Sequence, residues 1–148
     1  MLIELELTSN FVICSIGSLH GFQEKFYGIA IIFDTFKNTE HLSAHRDVTV
    51  MINDGEKTFE MMTEDIQGCN TNIRYHSERA DFSVLDSTRA KVVVNGSRLS
   101  VQIDSKGNGN WVSCVDIPNV NLKEGWLQNA HVGFTGIHFR FISQHTLL

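Results

Sequence analysis

At 148 residues, with 42% hydrophobic and 20% charged side chains, the chain is sized for one soluble domain around a single core. A formal net charge of −5, with 12 Lys and Arg scattered along the chain, excludes broad attraction to phosphate backbones or anionic membranes. Neither nucleic acid nor membrane contact by this segment is expected, and no apolar run approaches the ~20 residues of a bilayer span.

Taken in chain order, residues 1–16 are apolar and β-prone but carry little turn chemistry. Residues 11–16 are too short, and lack a preceding basic residue, for a signal-peptide core. Glu4 and Glu6 stand at i, i+2, the spacing at which sandwich-fold glycosidases set two acids on one strand face. With no third acid or aromatic platform beside them, a solvated strand face is the stronger reading.

Short β-rich runs dominate the rest and helical periodicity is weak. Strands are predicted at residues 28–33, 48–52, 57–62, 80–85, 90–94, 98–103, 111–117 and 130–134. So many strands in so short a chain call for an all-β sandwich or barrel. Asn53-Asp54-Gly55 marks a turn. Asn95-Gly96 predicts a type I′ hairpin turn, because both residues tolerate the positive φ that it requires. Residues 106–110, Lys-Gly-Asn-Gly-Asn, read as a mobile polar loop.

The stretch with most chemistry is the apolar run 28–33 followed by Asp34-Thr35-Phe36-Lys37-Asn38. A hard cation such as Ca²⁺ takes six to eight oxygens, and the Asp34 carboxylate, the Phe36 carbonyl and the Asn38 amide could supply three from one loop. On spacing alone, an Asp and an Asn after a strand are ordinary turn residues. Three cysteines leave at least one unpaired within the monomer. Two readings stay open: three buried thiols, or a Cys69–Cys114 bond across a long loop, which would place the chain in an oxidising compartment.

Other features have plainer readings. His41 and His45 stand at i, i+4 in a predicted loop without a third ligand, so exposed histidines are favoured over a zinc site. Trp111 and Trp126 are expected in core or sandwich-edge packing rather than as a sugar-stacking platform. Asn95-Gly96-Ser97 is formally a glycosylation sequon, set against modification by its tight turn. No nucleophile elbow, His-Glu-x-x-His or Cys-x-x-Cys motif is present, so no catalysis is expected.

Several ordered blocks carry a resemblance. Gly28 through Asn38 is followed by Val48-Thr49-Val50-Met51-Ile52-Asn53-Asp54-Gly55, Gly68-Cys69, Ile73-Arg74-Tyr75, Thr88 to Val92, Leu99 to Asp104 and Cys114-Val115-Asp116-Ile117. Together they resemble the L-type lectins, whose animal members include mannose-binding cargo receptors of the ER–Golgi intermediate compartment and vesicular integral-membrane lectins. The resemblance implies an antiparallel two-sheet sandwich, a concanavalin A-like jelly roll, with a Cys69–Cys114 disulfide and Ca²⁺ beside the sugar site. It implies Asp34, Phe36 and Asn38 as metal ligands and Asn38 and Asp34 as sugar contacts, with the distal carboxylate supplied by Glu64 or Asp65 or absent. High-mannose glycoproteins are the implied partners and the lumen of the ER, intermediate compartment or Golgi the implied location. Full-length relatives are single-pass membrane proteins, and homo- or hetero-oligomers are compatible with the fold.

The sequence also departs from the family pattern. Met61 stands where the family has a sugar-contacting His. Residues 1–16 do not resemble the strand that supplies a sugar-binding Asp, and Ile137-His138-Phe139-Arg140-Phe141 replaces the loop that closes the pocket. A lectin-like part over 17–136, with divergent segments at 1–16 and 137–148 and a domain incomplete at both ends, is therefore expected. Each missing sugar partner costs about 1–3 kcal/mol, which predicts weakened or lost sugar and calcium binding. The rival readings are a structural or protein-interaction fragment of the same fold and, further off, a concanavalin-like glycosidase.

Overall fold

The computed structural model describes residues 2–8, 23, 25–34, 46–62, 66–73 and 88–133. Within them the β-branched runs form seven strands: β1 (Leu2–Thr8), β2 (Tyr27–Phe33), β3 (Val48–Asp54), β4 (Gln67–Cys69), β5 (Arg89–Asn95), β6 (Arg98–Asp104) and β7 (Val112–Ile117). They make two antiparallel sheets, one four-stranded in the order β1-β5-β6-β7 and one three-stranded in the order β2-β3-β4. The predicted strand at 80–85 lies outside the described residues.

Alternation explains how the sheets face each other. Val48 and Val50 of β3 meet Ala90, Val92 and Val94 of β5, Leu99, Val101 and Ile103 of β6, and Val115 and Ile117 of β7 in one core. The opposite face of β2 and β3 is also covered: Met51 packs with Phe26 and Met62, flanked by Ala30, Ile32 and Ile66. Burial on both faces is why β3 carries successive apolar residues at Val50, Met51 and Ile52 rather than a strict alternation.

The segment 1–16, left without a clear place by its sequence, contributes β1, whose register pairs Glu4 with Val93 and Glu6 with Lys91. Positions 91 and 93 of β5 alternate with the buried Ala90, Val92 and Val94.

Three local expectations are corrected. Residues 57–62 are not a strand, because Phe59–Met62 form one helical turn, α1. The buried Asn53 carboxamide accepts from the Gly55 and Lys57 N–H groups at 2.9 and 3.2 Å and donates to the Lys57 carbonyl at 2.7 Å. The chain is thus turned back directly after β3. The Thr58 carbonyl accepts the Met62 N–H, which sets Met62 on Met51 and leaves Met61 exposed. Asn53→Ala is expected to cost about 2 kcal/mol, since three hydrogen bonds to backbone are lost from a buried site. Chemical denaturation of the variant checks this, and an unchanged midpoint would refute the clamp.

The hairpin turn is displaced by one residue. Asn95 pairs with Arg98, so the two-residue loop is Gly96-Ser97, with φ 60° at Gly96 alone, the pattern of a type II′ turn. This register sets Val94 against Leu99 and Val92 against Val101 on the core face. Residues 130–133, finally, form no strand: Trp126–Asn129 wind into a 3-10 turn, Ala130 bonds back to Leu127, and all four residues that follow are exposed. Without an apolar face to bury, nothing favours a ladder there.

Candidate functional site

Asp34 follows the last residue of β2, and its N–H donates to the Asp47 carbonyl at 2.8 Å, extending the β2–β3 ladder by one step. Asp47 is buried; its Oδ2 accepts the Thr71 N–H at 2.8 Å and its own N–H donates to Asn70 Oδ1 at 3.4 Å. The ends of β2, β3 and β4 are therefore laced together at one rim of the three-stranded sheet. Asp34 stands half-buried on that rim. Phe33 packs toward the inter-sheet core, so alternation places Asp34 on the other face with Ala30 and Ile32.

Of the residues predicted to hold metal or sugar, Asp34 is thus set at a sheet rim, while Phe36, Asn38, Glu64 and Asp65 lie outside the described residues, as do His41, His45 and Cys14. The described neighbours of Glu64 and Asp65, Met62 and Ile66, sit on the same outer face as Ala30 and Ile32. Among the described residues no group of three or more His, Cys, Asp or Glu is close enough to hold a metal ion. The donors proposed from the sequence are all oxygens, the chemistry that suits Ca²⁺, and Asp34 brings a carboxylate from a rigid strand end.

The disulfide is present: Cys69 and Cys114 are joined, with Cα atoms 5.3 Å apart. Cys69 ends β4 opposite the buried Val48. Cys114 lies in a bulge, since Val101 pairs with Val115 while Gln102 pairs with Ser113, leaving Cys114 the extra residue. Strict alternation from Val115 would turn Cys114 away from the core; the bulge re-aims it across to the second sheet. Next to Cys69, Gly68 is required by space, because a side chain there would run into the Val48 carbonyl oxygen. A shallow open depression of about 310 Å³ borders the bond, between Arg46, Gln67 and Asp116.

Sequence reasoning passed over Asp104. This fully buried carboxylate pairs with Arg89 at 2.7 Å and accepts the Asn108 and Gly109 N–H groups at 3.2 and 2.7 Å. The loop expected to be mobile is instead fastened at its base. The available signal was Asp-x-x-x-Asn-Gly, in which a carboxylate reaches forward to backbone N–H groups. The Arg89 guanidinium lies 5.5 Å from the Trp111 ring centre, and Trp126 packs on the main core. Trp126 is thus a packing residue, and Trp111 lies against Arg89.

A two-sheet antiparallel sandwich stapled across its sheets, with an acid at the rim of the smaller sheet, is the architecture expected of an L-type lectin fold. A profile of the legume-like lectin family matches residues 7–138, and the chain belongs to that family. Over 124 residues it is 27% identical to vesicular integral-membrane protein VIP36 from Canis lupus familiaris and from Homo sapiens, a match covering 79% of this chain and 32% of each relative. The mouse VIP36-like protein is 25% identical over 119 residues, covering 74% of this chain and 31% of that one. The chain spans about a third of the length of these relatives. Among solved structures, the VIP36 exoplasmic/lumenal domain in its Ca²⁺/Man-bound form aligns with a TM-score of 0.54 at 24% identity, over 77% of this chain and 45% of that one. Its Ca²⁺/Man3GlcNAc-bound form gives 0.53. These likenesses establish the sandwich fold, and the family is one of lectins rather than enzymes.

Proposed function

We propose that the chain is a lectin-like domain of a secretory-pathway cargo receptor, spanning 17–136, that recognises high-mannose glycan through Ca²⁺ with affinity weakened by missing partners. The observation that carries the reading is the position of Asp34, a carboxylate on the rim of a laced sheet. Asp34, the Phe36 carbonyl and Asn38 would hold the ion, with Glu64 or Asp65 as the distal carboxylate and Asn38 and Asp34 meeting sugar hydroxyls. The ion's part would be to fix these oxygens in place and to neutralise their charge; recognition is non-covalent and without catalysis. Support comes from the family, and from solved relatives described as carrying Ca²⁺ with Man or Man3GlcNAc. The lumen of the ER, intermediate compartment or Golgi is the corresponding location, in keeping with a disulfide in the chain. No described helix is long and apolar enough to cross a membrane.

The test is calcium-dependent retardation on a mannose resin, paired with melting curves in Ca²⁺ and in chelator. The expected result is weak retardation that chelator abolishes, and an apparent Ca²⁺ affinity at least about tenfold lower in Asp34→Ala. A loss of that size accompanies removal of merely supporting groups from metal sites. Identical melting curves in Ca²⁺ and chelator, with no retardation, would favour a protein-interaction role for the same fold.

A further inference from the structure

We infer that Asn95 is an N-glycosylation site, the acceptor of a lumenal oligosaccharide. The inference rests on the lumenal location proposed above. Asn95-Gly96-Ser97 is the only Asn-x-Ser/Thr sequence in the chain. A type I′ turn centred on Asn95-Gly96 would bend the acceptor itself into the left-handed region. The structure puts the bend one residue later: Asn95 keeps an extended ladder position opposite Arg98, and Gly96 takes the positive φ. Residues 95–98 are all exposed, so a bulky substituent at this tip displaces no core contact.

The two groups the sequon needs are both presented outward. Among the described residues no hydrogen bond holds the Asn95 carboxamide. The Ser97 hydroxyl makes only a long 3.5 Å contact to the Pro118 carbonyl, on the exposed side. The backbone beneath is fastened separately, where the Ser97 carbonyl accepts the Val120 N–H at 2.8 Å. Glycan and turn thus make no competing demands.

The chemistry is transfer from a lipid-pyrophosphate-linked oligosaccharide. The Asn95 amide nitrogen forms a bond to the anomeric carbon of the terminal N-acetylglucosamine. The bond from that carbon to the pyrophosphate oxygen breaks, the lipid pyrophosphate leaves with the electron pair, and the amide nitrogen gives up one proton.

The experiment expresses the chain as encoded in secretory cells. Protease protection of sealed microsomes is read alongside gel mobility before and after an endoglycosidase that removes N-glycans. Expected is a protected chain that shifts once on deglycosylation, with the shift absent in Asn95→Gln and Ser97→Ala and retained in Ser97→Thr, which keeps the sequon. A protected, disulfide-bonded chain without the shift would overturn the site while leaving the lumenal reading intact. A protease-accessible chain would overturn both. Because Asn-Gly also deamidates, Asn95 found as aspartate with no endoglycosidase treatment, and no glycopeptide, counts against the site.

Discussion

Breaking the Cys69–Cys114 bond is expected to lower stability by about 4 kcal/mol, the chain-entropy value for a closed loop with a sequence separation of 45. The effect is large because of what the bond connects. β4 has three residues and pairs only with the first part of β3, so its own ladder is short. The disulfide ties it to β7 in the other sheet and holds the segment that carries Asn70 and Thr71, the partners of Asp47 at the rim. Denaturant midpoints of the native chain with and without reductant, and of the Cys69→Ala/Cys114→Ala double variant, check the value. Equal midpoints, with all three thiols titrating in the folded protein, would remove the staple from the account.

Replacing Asp104 is the second large perturbation. Asp104→Ala is expected to cost about 3 kcal/mol, because a charge-paired carboxylate and the acceptor for two N–H groups leave a fully buried position while Arg89 stays behind. At this chain length that is a fall of roughly 6–12 °C in melting temperature. Arg89 Nε is already buried without a hydrogen-bond partner among the described residues, so losing its carboxylate worsens an existing deficit.

The same pair sets an acid limb. Burial pushes the Asp104 carboxyl up, but the Gly109 N–H, the Arg89 guanidinium and the Asn108 N–H together outweigh it and leave the group below its ordinary 3.8. A lowered folded-state pKa means that the unfolded chain takes up protons first as pH falls. The stabilisation is therefore complete well above 3.8 and is lost as pH drops below that value through the folded one. Melting curves of wild type and Asp104→Ala should differ most near neutral pH and converge in acid. A gap that persists unchanged at the lowest pH would make the effect one of packing rather than charge.

The strands were legible wherever one residue pattern decided one environment. Residues 98–103 show their faces by alternation and residues 28–33 and 90–94 stand out as short β-prone apolar runs, and their observed bounds differ only at the ends. The ordered blocks around Asp34, Cys69 and Cys114 carried the family and the disulfide pairing. What misled was local chemistry read without its partners. Lys57 to Met62 looks β-prone until the Asn53 carboxamide, fixed by the burial of β3, turns the chain. Asn95-Gly96 satisfies a I′ turn until Val94 finds Leu99 across the hairpin.

The sequence by itself determined that this is an all-β lectin-family chain, because strand periodicity and the order of its blocks are one-dimensional facts. Only the tertiary structure decided that Cys114 reaches Cys69 through a bulge, that Asp104 rather than a free loop anchors residues 105–110, and that Asp34 stands on a rim laced by Asp47. The disulfide and the rim depend on groups far apart in the chain, and the burial and charge pairing of Asp104 on Arg89, 15 residues earlier. Whether a polar group is paired or left unsatisfied in a low-dielectric interior is settled by what folding brings beside it.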